Sequence, residues 1–222
     1  MPISWRLSFG VALCAITFAV VAQTSPENLT VNARFLLAAR NVDADGLKRG
    51  LADGAAINSR NRLGESALIV VLKKNRVDLA QLLIDAGADV TRPALNGTTA
   101  LMAAAYEGQT EMVRQLLAKG ADAAALDRLQ KSAMVYAAGE GHTAVVKLLL
   151  ASGVGPNVVY NNDLTALMWA AGFGKTDTVR TLLEAGANPH MKDNRGKTAA
   201  DIATEQKFTE TAQVLLGAKS GG

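Results

Sequence analysis

The sequence predicts an all-α repeat protein, a solenoid of about six helix–turn–helix units joined by short hairpins. Three observations carry this. A period of 33 residues runs along the chain with no insertion or deletion. Glycines return at two fixed places in every period. The apolar residues make up 49% of the chain, mostly as alanine and leucine, with only 5% aromatics. That mix suits close-packed helices better than a sheet, which favours β-branched and aromatic side chains.

The period is clearest in the tetrapeptides Ser66-Ala67-Leu68-Ile69, Thr99-Ala100-Leu101-Met102, Ser132-Ala133-Met134-Val135 and Thr165-Ala166-Leu167-Met168, continued by Thr198-Ala199-Ala200-Asp201. The Ser or Thr that opens each one is placed to accept a backbone N–H at the start of a unit's first helix. The pairs Ala104-Ala105, Ala137-Ala138 and Ala170-Ala171 follow, where only a methyl group fits between neighbouring helices. Gly108, Gly141 and Gly174 then end the first helix in the left-handed region. Thr110, Thr143, Thr176 and Thr209 are candidate caps for the second helix, whose Val113, Leu116 and Leu117 and their equivalents recur at i, i+3, i+4 to face a continuous core. Gly87, Gly120 and Gly186 end that helix and release an extended stretch into the next unit. A worn first unit fits the same frame through Ala38-Ala39, Leu51 and Gly54. Gly153-Val154-Gly155-Pro156 replaces the usual Gly-Ala-Asp, so the hairpin leaving the fourth unit is expected to be irregular.

The pattern resembles the ankyrin repeat, as Gly97-Thr98-Thr99-Ala100-Leu101-Met102-Ala103-Ala104-Ala105 and Leu116-Leu117-Ala118-Lys119-Gly120-Ala121-Asp122 illustrate. The resemblance implies L-shaped units stacked into a curved array, with a concave surface lined by the first helices and the hairpins, and a role in protein–protein interaction. Two departures stand out. The family's proline after the Ser or Thr is alanine in every unit, and the histidine closing the tetrapeptide is Ile69, Met102, Val135, Met168 or Asp201. The polar network that the family builds from that histidine is therefore absent, and apolar packing, to which methionine adapts well, takes its place.

Before the repeats, Met1 to Arg6 form a short head with one positive charge, Leu7 to Val21 an uncharged apolar run of fifteen residues, and Val20-Val21-Ala22 a small-residue end. This is the layout of a secretory signal peptide cleaved after Ala22. The run is shorter than the ~20 residues a spanning helix needs; if retained, it would make the protein a membrane-tethered scaffold, its only membrane contact. The domain reading is a leader over 1–22, a polar linker over 23–30, the repeat domain over 31–217 and a flexible tail over 218–222. It predicts an exported protein, periplasmic in a Gram-negative host and otherwise secreted. Cys14, the only cysteine, lies in the leader, so the mature chain would have no disulfide and no thiolate site.

With 23 basic against 20 acidic residues scattered along the chain, the net charge of +3 gives no clustered basic face and argues against nucleic-acid binding. No cofactor, metal or catalytic site is predicted. Gly174-Lys175-Thr176 looks like the end of a phosphate loop, but Trp169 stands where the first glycine is required, and the three residues fall in an inter-helix turn. His142 and His190 have no companions at metal-ligand spacing. Asp89, Asp122, Asp127 and Asp193 recur near hairpins, where carboxylates tie down turns. A hydrolase on a repeat scaffold is the less favoured alternative.

The sequence thus points to a monomeric, non-catalytic module for a protein partner. Tyr106 and Glu107 end the first helix of the third unit, and Phe173 that of the fifth. Leu95, Leu129, Tyr160, Asn161 and Asn162 fall at hairpin tips. Large apolar residues at such projecting places are candidates for a binding surface. Tyr136 and Trp169 are 33 residues apart, on equivalent positions of adjacent units, where packing between repeats competes with binding. Lys73, Lys74 and Lys131 read as solvated charges that give this face a mild positive tone.

Overall fold

The computed structural model describes residues 29–218; the leader, most of the linker and residues 219–222 lie outside the described residues. Within them, twelve α-helices form six pairs. These are α1 (Val31–Asn41) with α2 (Ala44–Ala52), α3 (Ala67–Leu72) with α4 (Val77–Asp85), and α5 (Ala100–Tyr106) with α6 (Thr110–Ala118). They continue as α7 (Ala133–Glu140) with α8 (Thr143–Ala151), α9 (Ala166–Gly172) with α10 (Thr176–Glu184), and α11 (Ala199–Glu205) with α12 (Thr209–Leu216). The described hairpins contribute only isolated bridges, Arg60 with Ser66 and Val159 with Thr165.

The first helices begin as the sequence predicts. The hydroxyls of Ser66, Thr99, Ser132, Thr165 and Thr198 each accept the backbone N–H three residues on, at 3.1–3.4 Å. In the last unit Asp201 returns a second bond to the Thr198 backbone, closing a capping box. Such a cap contributes about 1 kcal/mol to each helix.

Each first helix packs on the next, α1 on α3 through to α9 on α11. The paired alanines of α5, α7 and α9 are fully buried in these contacts. Met102 and Met168 are buried too, so thioethers fill the positions where the resemblance would put histidine. Leu83, Leu116, Leu149 and Leu182 line the core from the second helices without exposure. A side chain of that size, fully buried, stabilises by roughly 2 kcal/mol.

The inter-helix turn is a left-handed residue repeated every 33 positions, at 42, 75, 108, 141, 174 and 207. The three central units use glycine, whereas Val42, Asn75 and Lys207 adopt φ of 62°, 54° and 64° in the outer ones. A non-glycine residue there costs about 1–2 kcal/mol, so the central units have the relaxed turns. At Gly108 there is a second reason for glycine, because a Cβ would lie 2.5 Å from the His142 ring.

The threonines after these turns are not caps. Thr110, Thr143, Thr176 and Thr209 are the first residues inside the second helices, and the capping positions belong to Gln109, His142, Lys175 and Phe208, none with a side-chain cap. One residue inside the helix, a hydroxyl no longer faces the free N–H groups. In two units it meets the neighbouring unit, Thr143 with Thr178 at 3.0 Å and Thr176 with Thr211 at 2.8 Å, whereas Thr110 donates to the Gly108 carbonyl of its own turn. The capping-position side chains reach back along the array. Gln109 donates to the Leu72 carbonyl and to Asn75, both at 3.0 Å, and His142 Nε2 lies 2.8 Å from the Tyr106 carbonyl oxygen. His142 is thus a tie between units, and Gly174-Lys175-Thr176 is a turn and helix start, as the repeat frame requires.

Neighbouring hairpin tips are also stitched together. The Leu95 N–H donates to the Leu63 carbonyl, Arg128 to Asn96, and Asn194 to Asn162, at 2.9–3.0 Å. The equivalent bond, from Asn161 N–H to the Leu129 carbonyl, is not made among the described residues. The hairpin leaving the fourth unit is irregular at its tip: Asn161–Asp163 form a 3-10 turn in which Asn162 and Asp163 both have positive φ.

Candidate functional site

The face formed by the ends of the first helices and the hairpins carries the aromatic residues. Tyr106, the last residue of α5, meets Tyr136 of α7 edge to face, with ring centroids 5.9 Å apart and an interplanar angle of 81°. Trp169 of α9 stacks with Phe173, just past the end of the same helix, at 6.1 Å and 11°. Between the two pairs stands Lys131, whose Nζ lies 4.3 Å from the Trp169 ring centroid and 5.7 Å from that of Tyr136. Tyr136 and Trp169 are therefore linked through a cation. Tyr106 and Phe173 are about half exposed, at 48% and 52%.

Lys131 is not the solvated charge that its sequence context suggests; it is half-buried against two rings. The register explains why. In the second unit the same position is Glu65, whose carboxylate accepts from Lys73 eight residues on, at 2.8 Å. In the sixth unit the charges are exchanged, with Lys197 on Glu205 at 2.7 Å. In the fourth unit the position opposite Lys131 is Gly139. Lacking that counter-charge, the ammonium lies over aromatic faces, an attraction of about 0.5–2 kcal/mol.

A hairpin carboxylate fixes this arrangement. Asp127, itself buried, accepts from the N–H groups of Leu129 and Lys131 at 2.8 and 2.9 Å. Its other oxygen accepts the Tyr136 hydroxyl at 2.5 Å. Burial first, and then the Asp127 carboxylate, push the Tyr136 hydroxyl far above the ordinary phenol range, so it stays a donor. Asp193 ties its own hairpin in the same way through Arg195 and Lys197, while Asp89 and Asp122 close shorter turns. The Trp169 indole N–H is buried without an acceptor among the described residues.

Of the tip residues, Leu95 and Leu129 are exposed at 59% and 62%, and Asn161 and Asn162 are exposed. Glu107 is partly exposed beside Tyr106. Tyr160 is a correction: it is buried, and its hydroxyl faces Ser132 of the preceding unit. It occupies the position of Asp127 and Asp193, which turns inward, so its ring does not project from the tip.

The sequence reading missed a second feature, at the first two units. A groove of about 960 Å³ between α1, the end of α3 and the hairpin into the second unit has an apolar floor that includes Leu36 and Leu37, with Arg40, Arg60, Arg62, Lys73 and Lys74 also lining it. Glu65 is the one carboxylate there, and Lys73 holds it. Burial raises the Glu65 carboxyl, but the bonds from Lys73 and Asn61 outweigh it and hold it below its ordinary value. Aligning positions by 33 would have found part of it, since Arg40 and Lys73 share the position of Tyr106. Among the described residues no group of three or more His, Cys, Asp or Glu is placed to hold a metal. None of the described helices is long and apolar enough to cross a membrane.

A stretch of 83 residues is 36% identical to the human protein described as mitochondrial disaggregase, covering 36% of this chain and 12% of that relative. The chain thus spans about an eighth of that protein's length. The family model described as ankyrin repeats (3 copies) matches residues 35–127 and again 134–221. With six helix pairs in a 33-residue register and that match over most of its length, the chain belongs to the ankyrin-repeat family.

Proposed function

We propose that this protein is a non-catalytic interaction module that binds a protein partner through the face of first helices and hairpins. Ankyrin repeats generally serve as protein–protein interaction modules. The observation that carries the reading here is the aromatic series Tyr106, Tyr136, Trp169 and Phe173, crossing three consecutive units and flanked by the exposed Leu95 and Leu129. Rigid aromatic side chains half out of water are what binding hot spots are made of. The helices beneath them are fixed by fully buried alanines, so the surface is organised before binding. We further propose that the module works outside the cytoplasm, as a chain beginning at Gln23, a reading supported by the layout of residues 1–22.

The test is crosslinking in the native compartment with the Tyr106→Ala and Phe173→Ala variants. Both side chains are substantially exposed, so the melting temperature should stay nearly constant while capture of the partner falls about tenfold or more. Unchanged capture by both variants would remove this surface from consideration.

A further inference from the structure

We infer that the partner segment bound by this face is an acidic, apolar peptide that places a carboxylate on Lys131. The inference rests on the interaction reading above and adds the chemistry of the ligand. Units two and six each set a lysine and a glutamate eight residues apart across this face, with the signs exchanged between them. Unit four keeps the lysine and replaces the carboxylate with Gly139. Lys131 makes no ion pair among the described residues, and the rings around it accept its charge only weakly compared with a carboxylate.

Gly139 is buried, and aromatic rings in place of a counter-charge cover its position. A Cβ built on Gly139 would find its nearest neighbour, the Phe173 ring, at 3.6 Å, an ordinary contact. Charge along the same face is mixed, with the carboxylates of Glu107 and Glu140 at the ends of the first helices and cations in the groove and at the tip. Arg40, Arg62 and Lys74 in the groove at the first two units, and Arg128 at the tip beside Lys131, also make no ion pair among the described residues. Apolar side chains of the segment would lie against Tyr106, Phe173, Leu95 and Leu129, the exposed hydrophobic groups of the face. A peptide fits better than a nucleic-acid strand: the Trp169 ring is already engaged by Lys131 and Phe173, and the tips offer aliphatic side chains in place of platforms for bases.

The experiment uses the full chain and three probes, peptides of about ten residues alternating Glu with Leu or Gln with Leu, and a single-stranded oligonucleotide. Calorimetric titration should show the Glu/Leu peptide binding about tenfold more tightly than the Gln/Leu peptide, with the difference shrinking at high salt. Lys131→Gln should erase that difference, Lys131→Arg should keep it, and Gly139→Glu, which supplies the carboxylate from within, should weaken the acidic peptide. Should Gly139→Glu not fold, the two Lys131 variants decide. Equal binding of both peptides, or a difference that survives Lys131→Gln, overturns the inference. If the two peptides bind equally and both are lost in Tyr106→Ala with Phe173→Ala, the interaction surface stands while the acidic ligand falls. Binding of neither peptide overturns the inference, and an oligonucleotide that binds through Lys131 reassigns the face to nucleic acid.

Discussion

In the hairpin that enters the fourth unit, Asp127 accepts two backbone N–H groups of its own turn and the hydroxyl of Tyr136. In the next hairpin, 33 residues on, the same position holds Tyr160, which buries its ring and directs its hydroxyl to Ser132 of the unit before. The first hairpin is held by its own carboxylate, and the second by packing on its neighbour. The difference shows at the tips. After Asp127 a single residue, Gln130, has positive φ, whereas after Tyr160 both Asn162 and Asp163 do. One repeat frame thus admits two ways of holding a hairpin, and the one without a carboxylate has the more contorted tip.

Four substitutions probe this comparison. Tyr160→Ala removes a buried ring and should cost about 3 kcal/mol, read as a lower urea midpoint. A cost below that of Asp127→Ala would mean that packing is not what holds the second hairpin. Asp127→Ala leaves three donors without their acceptor and should cost about 1–3 kcal/mol. It should also free Tyr136, seen as a phenol that titrates closer to its ordinary range, whereas an unchanged titration would deny Asp127 its part in fixing the aromatic series. Gln130→Gly should stabilise by about 0.5–1 kcal/mol, because glycine takes the left-handed region without strain. Asp163→Gly should gain less, since aspartate tolerates that region better and Asn162 beside it remains left-handed. A loss of thermal stability in Gln130→Gly would show that its side chain, not its backbone, matters at the tip.

The fold was legible because each unit repeats its spacing and one position explains the next. The caps at Ser66, Thr99, Ser132, Thr165 and Thr198 and the glycine turns follow from local backbone chemistry, which sequence states directly. The second-helix threonines misled because a cap and the first helical residue differ by one position, and only the backbone angles separate them. Tyr160 misled because its place near a tip suggests exposure, although the equivalent Asp127 and Asp193 turn inward. The exposure of Tyr106 and Phe173 at helix ends was legible; the place of Lys131 between two rings was not, since it depends on side chains of two units. A signal for it did exist in the exchange of Glu65 with Lys73 for Lys197 with Glu205.

The missing bond between the tips at Leu129 and Asn161 gives the array a joint. In a stack where each unit touches only its neighbours, the junction between the fourth and fifth units is without this tie along the hairpin edge and is carried by helix packing and by the Thr143–Thr178 contact. Lys131 belongs to the hairpin on one side of this joint, and Trp169 to the helix on the other. On the proposed reading, a segment lying across both would bridge this joint, so that grip on the ligand and rigidity of the scaffold would meet at one place.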